Sequence, residues 1–402
     1  MTGQASFPRV PGAPAAGPEA APRGAAAPSP AAPLPATPLR VRQLVADGSP
    51  DPVVEEVLRQ PPGRGEIRLR AAWSLVSPGT ELHYLDRSAR TGERFVLGYC
   101  SAGEVDAVGP HVQGFAPGDR VIAMGWGEAV HSAAVTVPYR LCRLVPAGLD
   151  LADAVVAGLA ATAVHAVDRA VLEPADEVAV VGAGMVGQLV AQIAAARGVR
   201  TTLLDLRPER LRTAPALGLA AADGERFLAG QDVGAGQDVG AGQDVGAGQT
   251  AARGGRCVFL CGTGDAGATV AAAARWAGRA PGRPRLVGVG RFAAHIDFSV
   301  ELGNLDIRYA ARCGAGYRDA SYARGLTEVV APDGEGTVTE NLQRALDLIG
   351  ADAIRPALMG LPRLPLERAA EAYAQLRERP AHPAVLFSHG PAAAGPEGGA
   401  AP

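Results

Sequence analysis

The segment EVAVVGAGMVGQLVAQIAAARG, residues 177–198, constrains the fold of this 402-residue chain more than any other. A strand-length apolar run, Glu177–Val181, leads directly into Gly182-Ala183-Gly184-Met185-Val186-Gly187. Apolar residues then recur at helical spacing up to Gly198, a residue suited to closing a helix. Strand, glycine turn and helix in immediate succession open a parallel α/β sheet. Each glycine has its own physical reason: Gly182 for a tight turn, Gly184 so that the backbone can approach a pyrophosphate, Gly187 for close packing of helix on strand. Met185 and Val186 start the helix, where unpaired N–H groups and about half a positive charge favour an anion.

The next strand ends at Asp205, close to the separation of about 20 residues at which an acid meets the adenosine ribose in dinucleotide-binding units. A carboxylate there accepts from the ribose hydroxyls and repels a 2′-phosphate, so the expected cofactor is NAD, with NADP disfavoured. Arg207 and Arg210 follow closely and could offset that charge, but in LRPERL they read first as solvated first-turn residues.

The remainder of the chain narrows the class. A length of 402 residues accommodates two cores, and 48% hydrophobic content is that of a folded globular protein. A formal charge of −3 gives no basic excess for a phosphate backbone, so a small-molecule substrate is expected and nucleic acid is not. No apolar run is read as approaching the roughly 18 residues that span a bilayer, and no signal peptide opens the chain, so the expected location is the cytoplasm without a membrane partner. The five cysteines form no disulfide framework. Every basic side chain is Arg, which removes lysine Schiff-base chemistry and any Tyr-Lys couple.

Residues 1–37, rich in Ala, Pro and Gly, and 391–402, of like character, are expected to be disordered. GQDVGA recurs in tandem within 230–249 and reads as a loop expansion. From Leu39 to about Val145, short strands broken by turns indicate an antiparallel β domain. From about Leu151 the period becomes helical, and strands then alternate with helices at Glu177–Val181, Thr201–Leu204, Cys257–Leu260, Arg285–Val289 and Leu305–Tyr309. The segments ENLQRALDLI and LERAAEAYAQLRE read as helices, and PAVLF as a last strand able to rejoin the first domain. The expected division is 38–150 with 336–390 as one domain and 151–335 as the other.

SPGTELH (77–83), LGYCSAGEVDAVG (97–109), GFAPGDRV (114–121) and VAVVGAGMVG (178–187) occur in that order. Together they resemble the medium-chain dehydrogenase/reductase superfamily, the alcohol-dehydrogenase-like proteins. GYRDASYARG (316–325), TEN (339–341) and the GYC turn are similar to the dehydrogenase half of bi-domain oxidoreductases. The resemblance implies a GroES-like β domain joined to a Rossmann domain, with the active site in the cleft between them. Dimers are common in the family, so a homodimer is implied by analogy.

Zinc-using members carry a Cys and a His where this chain has Pro78 and Tyr99, and the third ligand position falls near Ala157 or Gly158. A zinc site is therefore not expected, although Cys100 and His83 could share a metal. The resemblance makes Thr80 and His83 the hydroxyl and imidazole of a proton relay. Tyr99, in a ligand's place, becomes a donor to a developing alkoxide. Glu81 reads with Thr80 as turn-capping, and His131 and His165 are weaker site candidates. The segment from Arg312 to Tyr322 carries donors suited to a sugar or cyclitol. Three functions follow as expectations: NAD-linked hydride transfer to or from a secondary alcohol or ketone of a polyol, sugar or cyclitol in specialised metabolism; zinc-free reduction of an enone or quinone C=C bond; or an inactive NAD(H)-binding sensor.

Overall fold

In the computed structural model, residues 37–233, 255–280, 282–296, 300, 304–310 and 312–390 are described. The two Ala/Pro/Gly-rich ends and most of the GQDVGA repeat lie outside the described residues.

β1 (Leu39–Ala46) alternates buried and exposed side chains over its first half, as a strand with one face on the core must. It pairs antiparallel with β2 (Val53–Arg59), and its far end with β4 (Phe95–Val96). A second sheet is centred on β3 (Glu66–Leu75), which lies antiparallel between β5 (Cys100–Val108) and β7 (Ala134–Pro138). β6 (Arg120–Met124) and β8 (Cys142–Leu144) extend it. α1 (Pro78–Thr91) leaves the end of β3 with Pro78 in its first turn, where a missing N–H costs nothing, and closes on Gly92 at φ 71°.

α2 (Leu151–Ala154) and α3 (Ala157–Ala170) carry the chain into the α/β half. Here one expectation is corrected. Leu151–Ala170 is, by length and composition, the one stretch among the described residues apolar enough to cross a membrane. Its side chains are nearly all buried within the fold, which makes it a core helix that is hydrophobic all round.

The parallel sheet contains β9 (Glu177–Val181), β10 (Arg200–Asp205), β11 (Ala220–Asp223), β12 (Arg256–Leu260), β14 (Arg285–Gly288) and β16 (Asp306–Tyr309), in the spatial order β11-β10-β9-β12-β14-β16. α4 (Met185–Ala196), α5 (Gly224–Leu228) and α6 (Gly267–Ala277) connect its strands. The short strands β13 (Gly264–Asp265) and β15 (Phe292–Ala293) pair with each other above β12 and β14. Strand order reverses between β9 and β12, and doubly wound sheets bind ligands at the carboxyl ends of strands at such a reversal. β11 has no counterpart in the sequence reading, because AAAD contains no β-branched residue to mark a strand.

Beyond α7 (Ala320–Ala323), α8 (Val338–Gly350) opens with a capping box between Thr337 and Glu340. β17 (Arg363–Pro365) and α9 (Ala369–Arg377) precede β18 (Leu386–Ser388), which pairs antiparallel with β3. The chain thus closes the sheet it began, with the doubly wound sheet inserted between.

Candidate active site and cofactor cleft

Each glycine of the turn after β9 has a distinct steric setting. Gly182 adopts φ 103°, in the region open to glycine. A Cβ on Gly187 would sit 1.8 Å from the Gly182 carbonyl oxygen, so α4 can lie on its strand only with hydrogen at that position. A Cβ on Gly184 would meet nothing within 4 Å, so the backbone there is bare toward the cleft. This cradle at the start of α4 fits a dinucleotide pyrophosphate.

Asp205, at the end of β10, is buried, and both its oxygens accept backbone N–H groups: Oδ2 from Ala183 at 2.8 Å and Oδ1 from Arg207 at 3.0 Å. The acid therefore pins the glycine turn. Arg210 is less solvated than expected. Its Nη1 lies 4.0 Å from Asp205 Oδ2, because the single turn at Pro208–Leu211 folds it back over β10.

The opposite wall comes from the β-rich half. A Cβ on Gly79 would lie 3.4 Å from the Thr263 side chain, so the start of α1 faces the loop that follows β12. The Tyr99 hydroxyl donates to Ser77 Oγ at 2.7 Å. Burial raises the Tyr99 pKa well above its usual value, while hydrogen bonds to Ser77 and Thr80 act against that rise. The phenol therefore keeps its proton through the neutral range and works as a donor. Tyr99 and Thr80, both expected at the site, are brought together; Ser77, the first residue of SPGTE, joins them and carried no role in the sequence reading.

Glu81 does more than cap a turn. Its Oε1 accepts from the Ser77 backbone N–H at 2.7 Å, while Oε2 accepts from the Tyr373 hydroxyl on α9 and from His131 Nε2 at 2.8 Å. His131 Nδ1 lies 2.6 Å from Ser74 Oγ, which lies 2.9 Å from His389 Nε2. Glu81, His131, Ser74 and Tyr373 are wholly buried. Ser, His and Glu follow one another as in a hydrolase triad, but no substrate can reach the serine. The network fixes the floor of the site from below.

His83 takes a different place from Thr80 and Tyr99. Arg291, just past β14, donates from Nη1 to His83 Nε2 at 2.9 Å, and its guanidinium lies over the Tyr84 ring. Burial and the fields of Arg291, Arg90 and Arg87 lower the His83 pKa, with Asp86 opposing, so the ring is held neutral. Tyr84 packs against Trp126 at 4.3 Å between centroids, and the Trp126 backbone N–H donates to the Tyr317 hydroxyl at 3.2 Å. Tyr317 of the GYRD segment thus reaches this wall.

The positions that hold zinc in zinc-using members do not fit the metal here. Pro78 has no donor and Tyr99 is a protonated phenol. A Cβ on Gly158 would lie 2.5 Å from Cys100 Sγ, so no ligating side chain fits there. The Cys100 thiol is pushed up by burial and then by Glu81 and Cys313, whereas His83 is turned to Arg291. Among the described residues, no group of three or more His, Cys, Asp or Glu could hold a metal ion.

An antiparallel β half joined to a doubly wound sheet with a glycine cradle is an arrangement that the chain shares with the medium-chain dehydrogenases/reductases. Residues 63–177 match the family described as "Alcohol dehydrogenase GroES-like domain", and residues 177–224 match "3-hydroxyacyl-CoA dehydrogenase, NAD binding domain". Among curated proteins, the chain is 30% identical over 198 residues to "Probable D-xylulose reductase A" of Arthroderma otae, covering 39% of this chain and 56% of that protein. It is 29% identical over 177 residues to the sorbitol dehydrogenase of Bacillus subtilis strain 168, covering 35% and 49%. The chain thus spans about half the length of these relatives. Among solved structures, a protein described as a short chain alcohol dehydrogenase from E. coli CFT073, complexed with NADH, superposes with TM-score 0.65 at 16% identity, over 87% of this chain and 100% of that one. That likeness is one of fold.

Proposed function

We propose that this protein is an NAD(H)-dependent oxidoreductase interconverting a secondary alcohol and a ketone on a polyol, sugar or cyclitol-like molecule. The observation that carries the reading is the Tyr99–Ser77 hydroxyl pair, 2.7 Å apart, on the wall facing the loops that follow the sheet carrying the glycine cradle. Gly182, Gly184, Met185, Val186, Gly187 and Asp205 would hold the dinucleotide. When bound, it supplies the hydride donor or acceptor. NAD is favoured over NADP because Asp205 keeps a buried carboxylate at the ribose position.

As a ketone is reduced, negative charge grows on its oxygen and a preorganised donor must meet it. Tyr99 donates to Ser77 Oγ, which leaves the Ser77 hydroxyl proton free to point at that oxygen; Thr80 supplies a second hydroxyl. In the oxidative direction the same hydroxyls orient the alcohol by hydrogen bonds, and its proton leaves to solvent as the hydride passes to the dinucleotide. His83 is a poor relay in this arrangement, since its Nε2 already accepts from Arg291. The names of the two curated relatives, a xylulose reductase and a sorbitol dehydrogenase, support a polyol or sugar as substrate class.

Reduction of an activated C=C bond is the second reading, favoured by the unfit zinc positions, because an enone needs less help at oxygen. The two are separated by following NADH absorbance with a ketose and polyol panel against an enone panel, in wild type and Tyr99→Phe. The first reading expects turnover on the former, lost by about 10²–10³ in the variant with NADH affinity unchanged. Turnover confined to enones and indifferent to Tyr99→Phe sinks it. Tight NADH binding with no turnover on either panel points to a sensor.

A further inference from the structure

Arg291 brings a cation to the wall that carries His83, Tyr84 and Trp126. Its backbone is fixed at the rim of the sheet, where its carbonyl accepts from Gly264 N–H at 3.1 Å. The side chain crosses to α1, meets His83 at 2.9 Å and covers the Tyr84 ring. The neighbouring charges are spoken for: Arg87 pairs with Glu93 at 2.6 Å, and Asp86 with Arg377 at 3.5 Å. Arg291 is exposed and, among the described residues, has no carboxylate partner. Its described hydrogen bond uses one of five guanidinium N–H donors, on an uncharged imidazole.

We propose that Arg291 is a specificity-determining residue that binds an anionic group, a phosphate or a carboxylate, on the substrate. A guanidinium fork matches either anion through two parallel hydrogen bonds, and it is wasted on a neutral hydroxyl. The aromatic wall of Tyr84 and Trp126 packs the carbon skeleton while Arg291 holds its charged end. His83 completes the device. When the guanidinium turns to the anion it releases His83 Nε2, and the anion opposes the positive field of Arg291, Arg90 and Arg87 on the ring, so the freed Nε2 takes a proton and the imidazolium becomes a second cation for the same ligand.

The inference rests on the dehydrogenase reading, and the experiment keeps the two apart. NADH binding is first measured by nucleotide fluorescence. Sorbitol, sorbitol 6-phosphate and gluconate are then titrated calorimetrically with and without NADH, in wild type, Arg291→Gln and Arg291→Lys, in buffers of different ionisation enthalpy. The phosphorylated or carboxylated probe should bind wild type at least about tenfold more tightly than sorbitol, with proton uptake near neutral pH. Arg291→Gln should erase both the preference and the uptake while leaving NADH and sorbitol affinities unchanged, and Arg291→Lys should restore part of the preference. Sorbitol 6-phosphate favoured over gluconate names phosphate as the group; the reverse names carboxylate. Sorbitol binding as tightly as both anions, a preference that survives Arg291→Gln, or no binding of any probe overturns the proposal. Failure of NADH to bind removes the dehydrogenase reading instead, and the nucleotide-free titrations still decide the role of Arg291.

Discussion

His131 Nε2 lies 2.8 Å from Glu81 Oε2, with both side chains wholly buried. A carboxylate can only accept, so His131 carries its proton on Nε2. In the neutral ring Nδ1 then accepts from Ser74, and Ser74 accepts from His389. Glu81→Ala strands three donors at once: the Ser77 N–H, the Tyr373 hydroxyl and His131 Nε2–H. The expected loss is about 3–5 kcal/mol of stability, read from urea unfolding midpoints. A loss below about 1 kcal/mol would mean that water reaches this network.

Gly187→Ala and Gly184→Ala should fail in opposite ways. At Gly187 the new methyl collides with the Gly182 carbonyl, so α4 must lift from β9 and the melting temperature should fall by the equivalent of about 1–3 kcal/mol. At Gly184 the methyl meets no protein atom, so the fold should melt as wild type while NADH affinity drops. Thermal melts paired with NADH fluorescence titrations check both, and equal melting temperatures for the two variants would contradict the assignment.

On the proposed cofactor site, Asp205→Ala removes an anion that would repel a 2′-phosphate and leaves Arg210 beside the vacated position. The ratio of NADPH to NADH affinity should rise by about tenfold or more. Because Asp205 also accepts from Ala183 and Arg207, the variant should lose some stability too. An unchanged cofactor ratio in a folded variant would remove Asp205 from nucleotide recognition.

Burial, with His131 and Arg42 adding to it, lowers the His389 pKa from an ordinary 6.5 to about 3. Between those values the unfolded chain binds a proton that the folded chain refuses. Stability should therefore fall as pH drops from about 6.5 toward 3, by up to about 1.4 kcal/mol per pH unit from this residue, and be fully present above that window. Burial lowers His83, His165 and His382 as well, so each adds in the same direction. Urea midpoints taken from pH 4 to 8 test this, and His389→Asn should flatten the slope.

The cofactor half of the fold was readable because its determinants are local. A strand, three glycines and Asp205 lie within 30 residues, and turn sterics and helix periodicity act at that range. β11 was invisible because its alanines carry no strand signal. The substrate wall was harder to read. Thr80, His83 and Tyr99 stood out by position in a motif, but their geometry depends on partners far away in sequence: Arg291 turns His83 aside, and Tyr373 and His131 recruit Glu81 into the core. Ser77 was visible in SPGTE, yet only its 2.7 Å contact with Tyr99 marks it as a site residue.

The pairing of β18 with β3 also sets an order of events during synthesis. Ser74 and His389 are 315 positions apart, and Tyr373 and Glu81 are 292 apart. The doubly wound sheet can assemble from neighbouring strands as they leave the ribosome, whereas the sheet bearing Ser77 and Tyr99 waits for the segment around residue 386. Until then β3 presents an open edge along part of its length and Glu81 lacks the Tyr373 hydroxyl. A ribosome stalled before residue 386 has emerged would therefore hold a nascent chain whose glycine turn is formed and whose wall around Ser77 and Tyr99 is not.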